Sequence, residues 1–205
     1  MKSHEPVKDF QLLAGNPALD LVNTLDNRFR ERGPDELLVT YDDLLRFVRQ
    51  TGLLTAPQVR RLRRATGAET EREQVLDEVK KLREALAGVA YALLADKRLP
   101  KHDVDSLQKH FRHANAARLL SDNGKRLVWS WPAGEEISAP LWLLAQESER
   151  LILSEQAERL RCCASDTCRW LFLDTSKSHT RRWCDMKICG NRMKARRYQA
   201  RLASD

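Results

Sequence analysis

A chain of 205 residues, 42% hydrophobic and 32% charged, is long enough for one filled core plus a small appended module and too apolar to stay disordered. No apolar run approaches the roughly 18 residues of a membrane span, and the polar start Met1-Lys2-Ser3-His4-Glu5 lacks a secretory apolar stretch, so a cytoplasmic protein without membrane contact is expected. The formal charge of +7 is unevenly spread: residues 1–158 carry 24 Lys+Arg against 25 Asp+Glu, a net of −1, and residues 159–205 carry 12 against 4, a net of +8. Such asymmetry fits a polyanion-binding module at the end of the chain, or a solvated basic face.

In chain order, the first element predicted is a helix opened by Asn16 and Pro17. An N-cap followed by proline starts a helix well, and Ala18, Leu21, Val22, Leu25 and Phe29 share one face up to Arg32-Gly33-Pro34. Thr40 with Asp43 resembles a capping box before Leu44, Leu45, Phe47 and Val48, and Gly52 ends that helix. Thr55 with Gln58 repeats the device before Val59 and Leu62. A long helix follows from Glu69 to Ala95, with Val75, Val79, Leu82, Leu86, Val89 and Leu93 three and four residues apart. After Pro100 comes a helix carrying Val104, Leu107 and Phe111. Asn123-Gly124 between the apolar runs 117–120 and 126–131 predicts a β-hairpin, 132–140 a loop, and 141–160 a helix running into the first cysteines. The two units should be rigidly joined.

All five cysteines fall in the basic last quarter. In a reducing compartment, clustered cysteines suggest metal before disulfides. Cys163 with Cys168 and Cys184 with Cys189 form two C-x4-C pairs separated by residues 169–183, a pattern for one structural zinc ion per chain; buried or redox thiols are the plainer reading. Cys162 is the spare, since Cys163 makes the pairs symmetrical, and His179 sits at a predicted turn. The run 170–173, a turn at 175–178 and a return over 180–183 read as a hairpin between the pairs. Knuckle, hairpin and a helix starting at the last ligand give a treble-clef-like module. The fold class expected is therefore mainly α: a helical domain over 1–158 with one β-hairpin, and a zinc module over 159–205.

On the final helix, Gly190 to about Ala203, a period of 100° per residue puts Asn191, Ala195, Tyr198 and Leu202 on a narrow stripe expected to pack on the hairpin and Trp183. Arg192, Lys194, Arg196, Arg197 and Arg201 spread over the other side around Met193 and Ala200, and no acid occurs between Met186 and Ser204. Five cations around two small apolar side chains suit a helix in a DNA major groove, with Arg181 and Arg182 on the returning strand as further contacts.

Cys189-Gly190-Asn191-Arg192 spells the signature of the CGNR zinc-finger family, and the stretches 161–163, 168–176, 181–184 and 194–197 resemble the rest of that finger. Residues 13–24, Leu13-Ala14-Gly15-Asn16-Pro17-Ala18-Leu19-Asp20-Leu21-Val22-Asn23-Thr24, look like the opening of the helical ABATE domain that precedes it in such proteins. The resemblance implies a bacterial, stress-related transcription regulator with the four cysteines as zinc ligands. Cys162 departs from the pattern without disturbing the ligands.

In the helical part, His110 and His113 have metal-sharing spacing but no carboxylate motif beside them, and a surface role for His102, His110 and His113 is expected. Asp20, Asn23, Asp26, Asn27 and Arg28 either line an effector pocket or cap and bridge neighbouring elements, the second being favoured. The function expected is a zinc-dependent DNA-binding regulator, not an enzyme, whose helical domain senses an effector or forms a homodimer and adds little nonspecific DNA affinity. An RNA-binding or ribosome-associated protein using the same helix is the alternative. A zinc enzyme ranks last, because four cysteine ligands leave no open coordination position.

Overall fold

The computed structural model describes residues 9–65, 69–132 and 136–202. Residues 133–135 of the expected loop and Ala203 at the expected end of the last helix lie outside them. Seven α-helices and three two-stranded sheets follow one another along the described chain.

Helix α1, Pro17–Val22, starts as expected, with the Asn16 side chain accepting from Ala18 N at 2.8 Å, but stops ten residues early. Leu25–Asp26 (β1) instead pairs antiparallel with Asp35–Glu36 (β2), and Phe29 stays exposed. The reason is polar. Thr24 Oγ1 bonds back to Leu21 O, and Asn27 takes a left-handed φ of 52° in which its side-chain nitrogen reaches Asp35. These local bonds compete with continuing the helix. Buried Arg83 then clamps β2 through two 2.7 Å bonds to Glu36.

Helix α2, Tyr41–Gln50, carries the capping box: Asp43 N donates to Thr40 Oγ1 at 3.2 Å and Thr40 N to the Asp43 carboxylate at 2.8 Å. Gly52 closes it at a φ of 81°, conformationally cheap for glycine. Helix α3, Ala56–Arg64, opens with Thr55 N donating to Gln58 Oε1 at 2.8 Å. The central α4, Glu69–Leu94, buries Val75, Val79, Leu82, Leu86 and Val89, while Leu93 is exposed. Helix α5, Lys101–Ala116, buries Leu107 and leaves Val104 exposed. The hairpin of β3 (Leu119–Asp122) and β4 (Leu127–Ser130) turns at Asn123-Gly124 as predicted.

Helix α6, Ala139–Ile152, is shorter than the 141–160 expected. Ser154 caps a 3-10 turn, Glu155–Arg159, and the chain becomes β5, Leu160–Cys162. Its antiparallel partner is β6, Leu171–Leu173, with Leu160 opposite Leu173 and Cys162 opposite Leu171. The expected hairpin between the cysteine pairs is thus corrected: the 170–173 run pairs with the strand before the first cysteine, and 174–183 is an irregular loop. That loop hangs on buried Asp174, whose carboxylate accepts from Ser176 N at 3.0 Å and Arg181 N at 2.9 Å; hydrogen bonds from Ser176 lead in holding its pKa below the usual range.

One hydrophobic core runs from Phe10 and Ala14 through α1, α2 and α4 into Leu160, Trp170, Leu171 and Phe172. The first half of the zinc module is therefore built into the helical body.

Candidate metal centre and nucleic-acid interface

The first cysteine knuckle is shaped by its strands. Cys163 N donates to Trp170 O at 2.8 Å, Cys168 N to Ser165 O at 3.0 Å, and Arg169 turns the chain with a φ of 57°. In the second knuckle Cys184 precedes, and Cys189 lies on, a single π-helical turn, Met186–Gly190, capped by Asp185, whose carboxylate accepts from Ile188 N at 2.8 Å. Gly190 allows close approach there: a Cβ would lie 2.4 Å from Met186 Sδ and 3.3 Å from Trp183 Cδ1.

The two knuckles bring Cys163, Cys168, Cys184 and Cys189 together, all buried, with their four sulfurs within 4.8 Å of one another. Cys184 Sγ is 3.6 Å from both Cys168 Sγ and Cys189 Sγ. A tetrahedral zinc ion with sulfurs at about 2.3 Å sets them about 3.8 Å apart, so the four sulfurs fit zinc. The charge balance agrees. Hydrogen bonding with the Cys163 sulfur raises Cys168 and Cys184, burial raises Cys189, and Cys163 is held down by hydrogen bonds from Cys168 and Cys184. Four such thiols reach the thiolate form together only around a cation. Cys162 stands apart, half-buried, its thiol pushed up by burial and directed at Arg169 O. His179 is held by its own loop, its ring near Asp174 O. His110 is buried on α5 and its Nδ1 bonds Ser106 O at 2.8 Å; no metal group forms around it among the described residues.

Against the finger's inner side lie the polar residues of the α1–β2 segment. Buried Asn23 mimics a strand partner: its amide donates to Leu171 O at 2.9 Å and accepts from Leu171 N at 3.0 Å. Trp170 Nε1 donates to Asp26 at 2.8 Å, Leu173 N to Ala14 O at 2.8 Å, and Tyr91 Oη to Arg169 O at 2.9 Å. Asp20 accepts from Ala14 N at 3.0 Å, and burial pushes its carboxyl up to about 6. Arg28 pairs with Glu84. Capping and bridging is the role these contacts describe, though Asp26 and Asn27 also border a small open cavity of about 150 Å³ beside the cysteine sulfurs and Arg192. Sequence reasoning missed Trp170 as a bridging group; an indole in a β-prone run reads as core until its N–H partner is known.

Family models match over both parts of the chain. Residues 15–155 match the ABATE model, described as a "Putative stress-induced transcription regulator", and residues 159–202 match the CGNR zinc finger. The chain belongs to the ABATE family. No curated protein matches it. Its finger holds one zinc ion, on the four buried cysteines.

The seven cations and one methionine expected at a nucleic-acid surface divide in this ABATE protein. Helix α7, Asn191–Leu202, buries none of its residues; Arg192, Lys194, Arg196, Arg197 and Arg201 are exposed, and Met193 is half-buried. The stripe expected to pack on the hairpin and Trp183 does not: Tyr198 is 66% exposed and Leu202 60%. Irregular loop replaces the strand that would have received it. Arg182 is exposed and its guanidinium lies over Trp183. Arg181 is half-buried and engaged internally, donating to Trp183 O at 2.9 Å, to Cys184 O and to Leu13 O, with its guanidinium 4.4 Å from the Phe172 ring centroid. These donors hold the second knuckle against the core. No helix among the described residues is long and apolar enough to cross a membrane.

Proposed function

We propose that this ABATE protein is a zinc-dependent, non-enzymatic regulator of transcription that binds duplex DNA through the outward arc of α7. One observation carries the reading. A helix with five exposed cations and no buried residue extends from a metal centre whose other side is fixed in the core. Such a helix gains little from packing on its own body, and duplex phosphates supply the complementary charge. Met193 and Ala200 lie within the basic arc, where an apolar contact suits a thymine methyl. The helical body acts in this reading as an effector sensor or a homodimerisation unit.

The test is fluorescence anisotropy with a labelled duplex at several salt concentrations. If about four cations of α7 touch phosphates, their contribution to the slope of log affinity against log salt is near −3.6, and Arg196→Ala with Arg197→Ala flattens it by about 1.8. Zinc content stays at one per chain in that variant. Unchanged affinity and slope overturn the reading, and tighter binding to structured RNA than to duplex DNA transfers it to RNA.

A further inference from the structure

The near-neutral sum over residues 1–158 conceals a local excess. Between residues 44 and 68 there are six arginines (Arg46, Arg49, Arg60, Arg61, Arg63 and Arg64) and no Asp or Glu. Four of them lie in the nine residues of α3, Ala56-Pro57-Gln58-Val59-Arg60-Arg61-Leu62-Arg63-Arg64. Val59 and Leu62 are its buried anchors, 3% and 0% exposed. At 100° per residue, Pro57, Arg60, Arg61 and Arg64 fall within about 100° of arc opposite that anchor line. All three arginines are exposed. Arg63, nearer the anchored side, pairs with an acid, Asp42, at 3.2 Å.

The preceding geometry presents this face. Helix α2 ends at Gln50, Gly52 turns at a φ of 81°, Leu54 N donates back to Val48 O at 3.1 Å with its side chain buried, and α3 begins at Ala56. The glycine turn thus joins a helix packed inward to one whose cationic face is outward.

The end of α2 lies close to the finger. Phe10 is bonded on both sides to the Gln50 side chain, N to Oε1 at 3.0 Å and Nε2 to O at 2.6 Å. Three residues further, Leu13 O accepts from Arg181, which also holds Cys184 O. Three residues of chain span at most about 10 Å, less than the width of a duplex.

We infer that α3 is a second duplex-DNA contact, placing Arg60, Arg61 and Arg64 on phosphates outside those reached by α7. The inference rests on the DNA reading of the finger and adds to it a footprint extending onto the ABATE body, in place of the expectation that the helical domain adds little nonspecific affinity.

The experiment is the same anisotropy titration on the full-length, zinc-loaded chain, with Arg60→Ala, Arg61→Ala and Arg64→Ala combined, alongside the double variant of α7. Three lost phosphate contacts flatten the salt slope by about 2.7, so the affinity lost between 50 and 200 mM salt shrinks by about 40-fold. Thermal unfolding and zinc content stay at wild-type values, because these guanidinium groups are exposed and alanine favours a helix. The single charge reversal Arg61→Glu, which leaves the other arginines in place, weakens binding in the same direction. Wild-type slope in the triple variant, with the α7 variant flattened, overturns this inference alone and assigns the face to some other partner. A flattened triple variant with an unaffected α7 variant supports α3 while removing the proposed role of the finger. No duplex binding by the wild-type chain overturns both.

Discussion

The two halves of the zinc module share one metal ion and little else. The first half, β5, the first knuckle and β6, has Leu160, Leu171 and Phe172 at 2%, 0% and 0% exposure and shares a core with helices more than a hundred residues away in sequence. The second half, from Met186 to Leu202, buries only Cys189 and Gly190. A free-standing finger of this size has too little apolar surface to hold itself together and relies on metal for folding. Here the body supplies the first half with a core, so the role left to zinc is narrower, and consists in tying an exposed basic helix to a rigid base.

That division gives the largest predicted effect. Removing zinc with a chelator, or replacing Cys189 by Ser, eliminates a binding free energy on the order of 10 kcal/mol, and the loss falls on the second half. Hydrogen exchange checks it. Protection persists at Leu171 and Leu173, whose N–H groups bond Asn23 and Ala14, and disappears at Cys189 and Gly190, whose N–H groups bond Asp185 O. Global unfolding on chelation would show that the halves are one cooperative unit. Metal analysis of Cys162→Ser shows one zinc per chain; full retention in Cys189→Ser sinks the ligand set.

The next effect contrasts two aromatic side chains of the same module. Phe172→Ala opens a cavity in a fully buried site and costs about 3–5 kcal/mol in urea unfolding, whereas Tyr198→Ala stays within about 0.5 kcal/mol. A chain ending near Leu160 is correspondingly destabilised, because it lacks β6, and one ending just past Asp174 retains that packing. Asn23→Ala follows. It strands Leu171 N–H and C=O in a buried seam, at about 1–3 kcal/mol for each group left unsatisfied, and the same unfolding measurement reads it.

Residues whose chemistry is local were legible in the sequence. Thr40 and Asp43 are three apart and bond one another, Asn123-Gly124 turns on itself, and the paired C-x4-C spacings converge on one point. What failed was decided across the chain. Leu25 and Phe29 continue the stripe of α1, and nothing nearby says that Asn23 finds its partner 148 residues on. The β-prone run at 171–173 was readable as a strand, but its pairing with β5 and not with the 180–183 return goes with a tertiary fact, the hold on Arg181 by Phe172 and three carbonyls. At the interface, the arc of α7 follows from helical period alone, whereas the engagement of Arg181 with the core is a tertiary fact.

The smallest effect sharpens the account of the seam through its pH dependence. Asp20 is 6% exposed and accepts from Ala14 N, whose own carbonyl accepts from Leu173 N, so its carboxyl sits at the junction of body and finger. Burial raises its pKa from 3.8 to about 6. A folded-state value above the unfolded one means that stability linked to this group is fully present below about pH 4 and is lost as pH rises through about 6. The two-unit difference sets an upper bound of about 3 kcal/mol on that loss, and relaxation of the site brings the expected value nearer 1 kcal/mol. Asp20→Asn keeps the oxygen that accepts from Ala14 and cannot ionise, so it is more stable than wild type at pH 8 and the advantage vanishes near pH 4. Urea unfolding of both proteins across that range measures the difference, in which protonation of the zinc ligands cancels because both chains carry the same four cysteines. A constant difference at every pH would mean that Asp20 is not desolvated by the finger, and that the seam is wetter than its hydrogen bonds describe.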